Sequence, residues 1–138
     1  MVRSMGEPMR TVLVADSASI VQFILERILG KEGYRVLYTK HPRDLVHQVQ
    51  VVNPDVIVLQ AEIGGGKGYR ICEYLNRRPE TRHIPIILTT RITKTLDFES
   101  WPGVVAVLRK PLSAARVWQA LGKVPEAPTE TESQADAI

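Results

Sequence analysis

Five short runs of apolar, β-favouring residues follow one another along the chain, and the segments between them carry apolar residues at a helical period. Four runs are almost continuously apolar, as strands that are covered on both faces of a sheet must be. The fifth, residues 35–38, is shorter and has polar ends, which is typical of an edge strand. The pattern therefore predicts four interior strands, at residues 11–15, 56–59, 84–88 and 104–108.

Amphipathic helices are predicted between these runs, although the connection within residues 93–101 is only weakly patterned as a fourth helix. Strands that alternate with helices indicate βαβ units. Right-handed crossovers then place helices on both faces of a doubly wound, five-stranded parallel α/β sheet. The apolar positions that predict the other helices are Ile20, Val21, Ile24, Leu25 and Ile28; Leu45, Val49 and Val52; Ile71, Cys72 and Leu75; and, after a cap at Ser113, Ala114, Val117, Trp118 and Leu121.

The chain has 138 residues, near the modal size of one domain, and its two ends differ in composition from its middle. Residues 1–9 mix Gly, Pro, Met and charge without periodicity, which predicts a disordered lead-in. Residues 124–138 are rich in Pro, Glu, Thr and Ser and have little to bury, which predicts a disordered acidic tail. One folded domain is predicted over residues 10–123.

The composition excludes several classes of protein. Hydrophobic residues make up 44% and charged residues 24%, which are ordinary values for a folded soluble chain. No apolar run approaches the roughly 18 residues that span a bilayer, and residues 1–9 lack an apolar signal core, so we expect a cytoplasmic protein without membrane insertion. Cys72 is the only cysteine, and the three histidines lack ligand-spaced partners, which argues against disulfides and against a metal site.

The net charge of +3 conceals an uneven distribution. The tail carries Glu126, Glu130, Glu132 and Asp136 and no base. Of the 15 acids only 11 therefore lie in the rest of the chain, against all 18 bases, which gives a net charge of +7 there. Such an excess suits a phosphate-bearing partner, but scattered bases more often form an ordinary solvated surface, and we expect no nucleic-acid partner.

The residues that follow the predicted strands are chemically informative, because ligands of an open α/β sheet bind at the carboxyl ends of its strands. An aspartate, an amide, a hydroxyl and an ammonium are expected to converge there. The segments concerned are Ala15-Asp16-Ser17, Gln60-Ala61-Glu62, Thr89-Thr90-Arg91 and Arg109-Lys110-Pro111.

Residues 10–122 resemble the receiver domain of bacterial response regulators. Segment 12–17 is similar to the family's first strand with its acidic pair, segment 54–60 to the strand that ends in the phosphoacceptor aspartate, and Gly68 to the glycine that opens the third helix. Segments 83–90 and 109–111 resemble the signature threonine and lysine-proline segments. The separations of 44 residues from Asp16 to Gln60 and 30 from Gln60 to Thr90 are common in the family, whereas 20 from Thr90 to Lys110 is slightly short, which suggests a shortened fourth helix. The resemblance implies a flavodoxin-like fold with strand order 2-1-3-4-5.

The resemblance also implies a chemistry from which this chain departs. Receivers accept a phosphoryl group on the aspartate that here is Gln60, and an amide offers no anionic oxygen as nucleophile. Ala15 replaces one of the acidic pair, so one carboxylate remains for Mg²⁺, which depends on carboxylate charge. Val107 replaces the usual aromatic switch residue. These three departures predict a pseudo-receiver without metal, cofactor or phosphorylation.

Asp16, Thr90 and Lys110 still match the family's pattern. Lys110 is expected to pair with Asp16 or to donate to the side-chain oxygen of Gln60, which would fasten the fifth strand to the first and third without catalysis. Glu62 is either a replacement carboxylate for Lys110 or Arg91, or an exposed loop acid.

We therefore expect a stand-alone, non-enzymatic receiver-like protein that acts in two-component signalling by contact with a signalling protein. A histidine kinase or a component of motility or chemotaxis type would be such a partner. In the family the usual docking face is formed by the fourth helix, fifth strand and fifth helix, which here places Phe98, Trp101, Arg116 and Trp118 on it. Trp101 is the expected hot spot, unless it packs under the shortened fourth helix.

Two other interpretations stay open from the sequence. The basic residues Lys67, Arg91 and Lys110 would suit a sensor of a small anion or a nucleotide. Alternatively, Asp16 itself would accept the phosphoryl group.

Overall fold

The computed structural model describes residues 10–94 and 97–125, so the lead-in predicted for 1–9 and the predicted tail from 126 onwards lie outside the described residues. No helix within these ranges is long and apolar enough to cross a membrane. The strands are β1 (Thr11–Ala15), β2 (Arg35–Thr39), β3 (Val56–Gln60), β4 (Ile86–Thr90) and β5 (Val104–Arg109). The helices are α1 (Ser19–Gly30), α2 (Pro42–Val52), the single turn α3 (Ile63–Gly66), α4 (Gly68–Arg77) and α5 (Ala114–Leu121).

The five strands form one parallel sheet in the order β2-β1-β3-β4-β5, as the resemblance predicts. The central strands β1, β3 and β4 are buried almost throughout, which is why their sequences are continuously apolar. The edge strand β2 is only partly buried, in agreement with its polar ends. All five carboxyl ends therefore lie along one edge of the sheet.

Two hydrophobic cores lie on opposite faces of this sheet, because successive strand side chains point to opposite sides. One core joins Leu13 and Ile57 to α2 and α4, and the other joins Val12 and Val58 to α1 and α5. This division confirms the doubly wound arrangement. It also holds the loops after β1, β3, β4 and β5 in fixed positions relative to one another.

Some individual positions differ from the predicted pattern. Strand β4 begins at Ile86 because Pro85, with no N–H, precedes it. Helix α1 buries Val21, Leu25 and Leu29, whereas Ile20 is 59% exposed. In α5 the buried residues are Val117 and Ala120, so Ala114 and Trp118 do not carry the packing that the pattern predicts.

The fourth helix predicted within residues 93–101 is wrong for the described part of that stretch, which contains only a 3-10 turn at Phe98–Ser100. Phe98 is the one deeply buried residue there among those described, and a single turn is enough to bury it in the core beneath α2 and α4. Trp101 stacks edge-on against Phe98 and Tyr69, with ring centroids 5.1 Å and 5.3 Å away. Aromatic packing thus holds the connection from β4 to β5 against the core.

Gly68 begins α4 at a point where the backbone of the β3–α3 loop approaches closely. A Cβ at this position would lie against the carbonyl oxygen of Ala61, closer than non-bonded atoms approach. Gly30, near the end of α1, has nothing within 4 Å of an added Cβ.

We predict that Gly68→Ala lowers the free energy of unfolding by about 1–3 kcal/mol or more, because the new methyl group forces α4 away from the loop that carries Glu62. The matched variant Gly30→Ala should raise it by about 0.5–1 kcal/mol, since alanine is the better helix former. Urea unfolding followed by circular dichroism measures both. Equal stability of the two variants would contradict the close approach at Gly68.

Candidate functional site

A buried ion pair lies at the carboxyl edge of the sheet. Asp16, which follows β1, is fully buried, and its carboxylate binds the ammonium of Lys110, which follows β5. The Lys110 Nζ atom is 2.9 Å from Asp16 Oδ2 and 3.0 Å from Oδ1, and its side chain is only 10% exposed. Of the two partners predicted for Lys110 from the β1 and β3 loops, the structure places it on Asp16.

Two further donors complete the environment of Asp16. The Thr89 hydroxyl donates to Oδ2 at 2.7 Å, and the backbone N–H of Ala18 donates to Oδ1 at 2.9 Å. Both carboxylate oxygens are therefore hydrogen-bonded twice, once by an ammonium and once by a neutral donor. This geometry joins β1, β4 and β5 through one side chain.

Thr89 is a site residue that the sequence analysis missed, since the resemblance drew attention to Thr90. Adjacent residues of a strand point to opposite faces, so the two threonines cannot serve the same contact. Thr89 pairs in register with Gln60 across β3 and β4 and reaches Asp16, whereas the Thr90 hydroxyl donates to Glu62. The alternation of side chains along β4 was the signal in the sequence that would have assigned the two threonines to different contacts.

Gln60 occupies the position at which the resemblance expects the phosphoacceptor. Its Oε1 atom accepts two hydrogen bonds from Ser17, one from the backbone N–H and one from the hydroxyl, each at 2.9 Å. The amide therefore fastens the loop after β1 to the end of β3.

Glu62 lies at the rim of the same edge, and it does not contact the Lys110 ammonium. Its Oε1 atom accepts the Thr90 hydroxyl and, at 3.3 Å, the backbone N–H of Arg91. Thr90 Oγ1 in turn accepts the N–H of Ile92 at 3.1 Å. Glu62 Oε2 is buried without a hydrogen-bond partner among the described residues.

The three basic residues of the predicted anion sensor are not equivalent in the structure. Lys110 is nearly buried and its charge is compensated by Asp16, whereas Lys67 and Arg91 are exposed side chains on separate loops. The charge of Lys110 is thus already compensated within the chain, which leaves Lys67 and Arg91 as the exposed members of the trio.

A tyrosine on the neighbouring edge strand, Tyr38, contacts the backbone of Asp16. The Tyr38 hydroxyl donates to the backbone carbonyl of Asp16 at 2.6 Å. Burial and, secondarily, the Asp16 carboxylate raise the pKa of Tyr38 above its ordinary value, while a hydrogen bond with Ser19 opposes the shift. The phenol therefore stays a neutral donor to higher pH than an exposed tyrosine.

The residues predicted for partner binding are distributed over different surroundings. Phe98 is 3% exposed, so its assignment to a docking surface is wrong: the side chain is needed to fill the core under the β4–β5 connection. Trp101 is half-buried against that core, and Val107 packs there as well. Arg116 is exposed, and Trp118 is 37% exposed with its ring 6.1 Å from that of Tyr34.

The magnesium site that the resemblance implies can be tested against these donors. Mg²⁺ requires oxygen ligands in near-octahedral geometry and is held mainly through carboxylates. Here Ala15 has no side-chain oxygen, both Asp16 oxygens face the Lys110 ammonium, and Gln60 Oε1 is taken by Ser17. Among the described residues no three His, Cys, Asp or Glu side chains cluster as metal ligands. The residues present do not fit a magnesium ion.

Known proteins share this architecture. A family model described as the response regulator receiver domain matches residues 12–122. Protein PilH of Pseudomonas aeruginosa PAO1 is 25% identical over 119 residues, which cover 84% of this chain and 98% of PilH.

Solved structures with the same fold include the chemotaxis response regulator CheY4 of Vibrio cholerae. Its TM-score is 0.77 at 20% identity, with coverage of 86% of this chain and 100% of that chain. The receiver domain of the sensor histidine kinase PA1611 of P. aeruginosa PAO1 has a TM-score of 0.73 at 22% identity, covering 85% and 98%. That structure has a magnesium ion coordinated in its active site cleft.

We predict that Lys110→Ala lowers the free energy of unfolding by about 1–3 kcal/mol, because it leaves the buried Asp16 carboxylate without its charged partner. The exposed Lys67→Ala is the matched control and should change stability by less than about 0.5 kcal/mol. Chemical unfolding of both variants, of Asp16→Asn, and of the double variant Asp16→Asn/Lys110→Ala gives the coupling between the two side chains. A Lys110→Ala variant as stable as Lys67→Ala would contradict a structural ion pair.

Magnesium should leave the melting temperature of the natural chain unchanged at millimolar concentration, since only a ligand that binds the native state stabilises it. The double variant Ala15→Asp/Gln60→Asp restores two carboxylates beside Asp16 and should melt at a higher temperature when Mg²⁺ is added. Differential scanning calorimetry with and without the ion measures both. A saturable rise in the natural chain would show that its donors form a metal site after all.

Proposed function

This chain belongs to the response regulator receiver domain family, as its residues 12–122 match that family's model, and we propose that it is a degenerate member that signals without being phosphorylated. The family assignment confirms the resemblance predicted from the sequence. In the proposal, the chain acts in two-component signalling by binding another protein, and its site residues stabilise one conformation. It is not an enzyme in this role.

One observation carries the proposal: the polar side chains left at the family's acidic positions are both engaged inside the chain. Gln60, at the acceptor position, is held by Ser17, and an amide cannot form an acyl phosphate. Asp16, the remaining carboxylate, is held by Lys110, Thr89 and Ala18. Accepting a phosphoryl group on Asp16 would require breaking a buried, doubly contacted ion pair.

The route by which receivers transmit phosphorylation is also altered. In the family an aromatic residue three positions before the lysine turns inward when the threonine moves. Val107 has a short β-branched side chain with restricted χ1 rotamers, and Thr90 is fastened to Glu62. These features support a pocket with a single state, so the output depends on which partner the surface binds.

The surface that we propose for the partner lies on β5 and α5. Arg116 and Trp118 are its exposed residues, and arginine and tryptophan are over-represented in binding hot spots. They lie two positions apart on a helix with 3.6 residues per turn, so each marks a different side of α5: Arg116 lines the side next to β5, and Trp118 lies on the side next to Tyr34. Substituting them one at a time therefore tests which side of α5 the partner contacts. A signalling protein such as a histidine kinase, or a chemotaxis component of the kind that CheY4 belongs to, is the class of partner proposed.

We predict that the natural chain takes up no phosphoryl group from acetyl phosphate and Mg²⁺, because Gln60 has no nucleophilic oxygen and Asp16 is occupied. Intact-mass spectrometry measures the modification. Gln60→Asp alone should stay unmodified, since Ala15 leaves the metal short of a ligand, whereas Ala15→Asp/Gln60→Asp should gain one phosphoryl group and serves as the positive control.

Phosphorylation of the natural chain would overturn the proposal, and its loss in Asp16→Asn would identify Asp16 as the acceptor. Once a partner has been isolated from the native host, its affinity should not change on addition of acetyl phosphate. It should fall when Arg116→Glu or Trp118→Ala is introduced, and the exposed α4 variant Arg77→Glu is the matched control. A partner insensitive to both α5 substitutions would place the docking surface elsewhere.

A further inference from the structure

A basic groove runs between α5 and β5, the last strand at one edge of the sheet. Its volume is about 480 Å³, within the range of binding clefts. Arg109 from β5, Arg116 and Gln119 from α5, and Lys123 from the turn after α5 line it above an apolar floor, and no acidic residue contributes to the lining. Positions 116, 119 and 123 follow helical spacing, so the polar side chains form one continuous row along the groove.

The positive charges of this groove are uncompensated within the described residues. The ion pairs found in those ranges join Lys110 to Asp16, Arg77 to Glu73 and Arg78 to Glu80. None of them involves Arg109, Arg116 or Lys123; the Arg109 guanidinium donates only to the carbonyl oxygen of Lys94, at 3.4 Å. The groove therefore presents three positive charges to whatever binds it.

The segment from 126 to 138, called here the acidic tail, has the complementary charge. It carries Glu126, Glu130, Glu132 and Asp136 and no lysine or arginine. The chain leaves the described region at Pro125, two residues after Lys123 of the groove. The acidic tail thus starts at one end of the row of cations.

The length of the acidic tail is sufficient to follow the groove. Arg116 and Lys123 lie seven positions apart, which on a helix is about 10 Å. The seven residues from Glu126 to Glu132 can extend over about 23 Å. Glu126 can therefore lie near Lys123 while Glu130 and Glu132 lie near Arg116 and Arg109.

We propose that the acidic tail binds back into the β5–α5 groove of its own chain, with its glutamates paired to Arg109, Arg116 and Lys123. Exposed ion pairs are individually weak, but a tether of a few residues gives the acidic tail an effective concentration in the millimolar range. Arg77 and Arg78, at the end of α4, are a poorer target, because they already have Glu73 and Glu80 as partners.

This contact bears on signalling, because the groove is part of the surface proposed above for the partner. A partner that docks on β5 and α5 would have to displace the acidic tail, which would select for partners with a stronger acidic element. That consequence rests on the proposed function. The contact within the chain does not, so it can be tested without any partner.

A spin label on the acidic tail tests the proposal in the full-length protein. Cys72 is fully buried, and burial raises the pKa of its thiol to about 12, so a nitroxide reagent will react with a new cysteine in Ala135→Cys. In ¹⁵N NMR spectra at low salt, the amide signals of Arg116, Gln119 and Lys123 should lose more than half of their intensity. They should recover at about 0.5 M salt, which screens exposed ion pairs.

Two charge variants in the labelled background separate the groove from net charge. Arg116→Gln/Lys123→Gln should abolish the intensity loss at the groove. Arg70→Gln/Arg77→Gln removes the same charge from exposed positions of α4, and the intensity loss at the groove should remain in this variant. Neutralising the acidic tail by Glu126→Gln, Glu130→Gln, Glu132→Gln and Asp136→Asn should abolish it as well.

Three results would overturn the proposal. The first is unchanged intensity of the groove signals in the labelled chain at low salt. The second is equal intensity loss at the groove in Arg116→Gln/Lys123→Gln and in Arg70→Gln/Arg77→Gln, which would mean non-specific attraction. The third is intensity loss in a mixture of ¹⁵N chain without a label and labelled chain without ¹⁵N, which would assign the acidic tail to a second copy. None of these three results changes the outcome expected in the phosphorylation test above, so the two proposals can fail separately.

Discussion

The pairing of Asp16 with Lys110 is the interaction on which the candidate site depends. Removing two charges from water is costly, and the attraction between them compensates only when further hydrogen bonds satisfy both groups. Thr89 and the Ala18 N–H supply those bonds to the carboxylate, which sits fully buried at the end of β1. The Asp16 side chain therefore connects three strands of the sheet, and its contacts hold in place the loops that form the site.

A pocket stabilised in this way has its polar side chains engaged with one another inside the chain. Gln60 holds Ser17, and Glu62 holds Thr90, so the loops after β1, β3 and β4 are each fastened by a side chain from a neighbouring strand. Three cations without an acidic partner among the described residues lie elsewhere, along the β5–α5 groove. In the function proposed above, the site residues stabilise one conformation, and regulation would come from charge complementarity between the groove and the acidic tail.

The apolar pattern predicted the strands well because central parallel strands must be apolar on both faces. The strand order was predicted by the resemblance to the receiver family, and the structure has that order. Side-chain placement within elements was less predictable. Thr89 was missed although it neighbours Thr90, and Phe98 was assigned to the surface although it is buried. Ile20 belongs to an apolar helical stripe, yet it is 59% exposed, because α1 meets the sheet through Val21, Leu25 and Leu29.

The sequence by itself determined the sheet, the family, the absence of an aspartate at the acceptor position and the acidic composition of the tail. The family follows from the resemblance of its motifs to those of receivers, and the others follow from residue type or local periodicity. Only the tertiary structure decided which partner Lys110 takes, that a 3-10 turn replaces the weakly patterned helix, and that Arg109, Arg116 and Lys123 face one groove. These outcomes depend on spatial distances between residues that are far apart in the sequence. The order of residues along the chain does not give those distances.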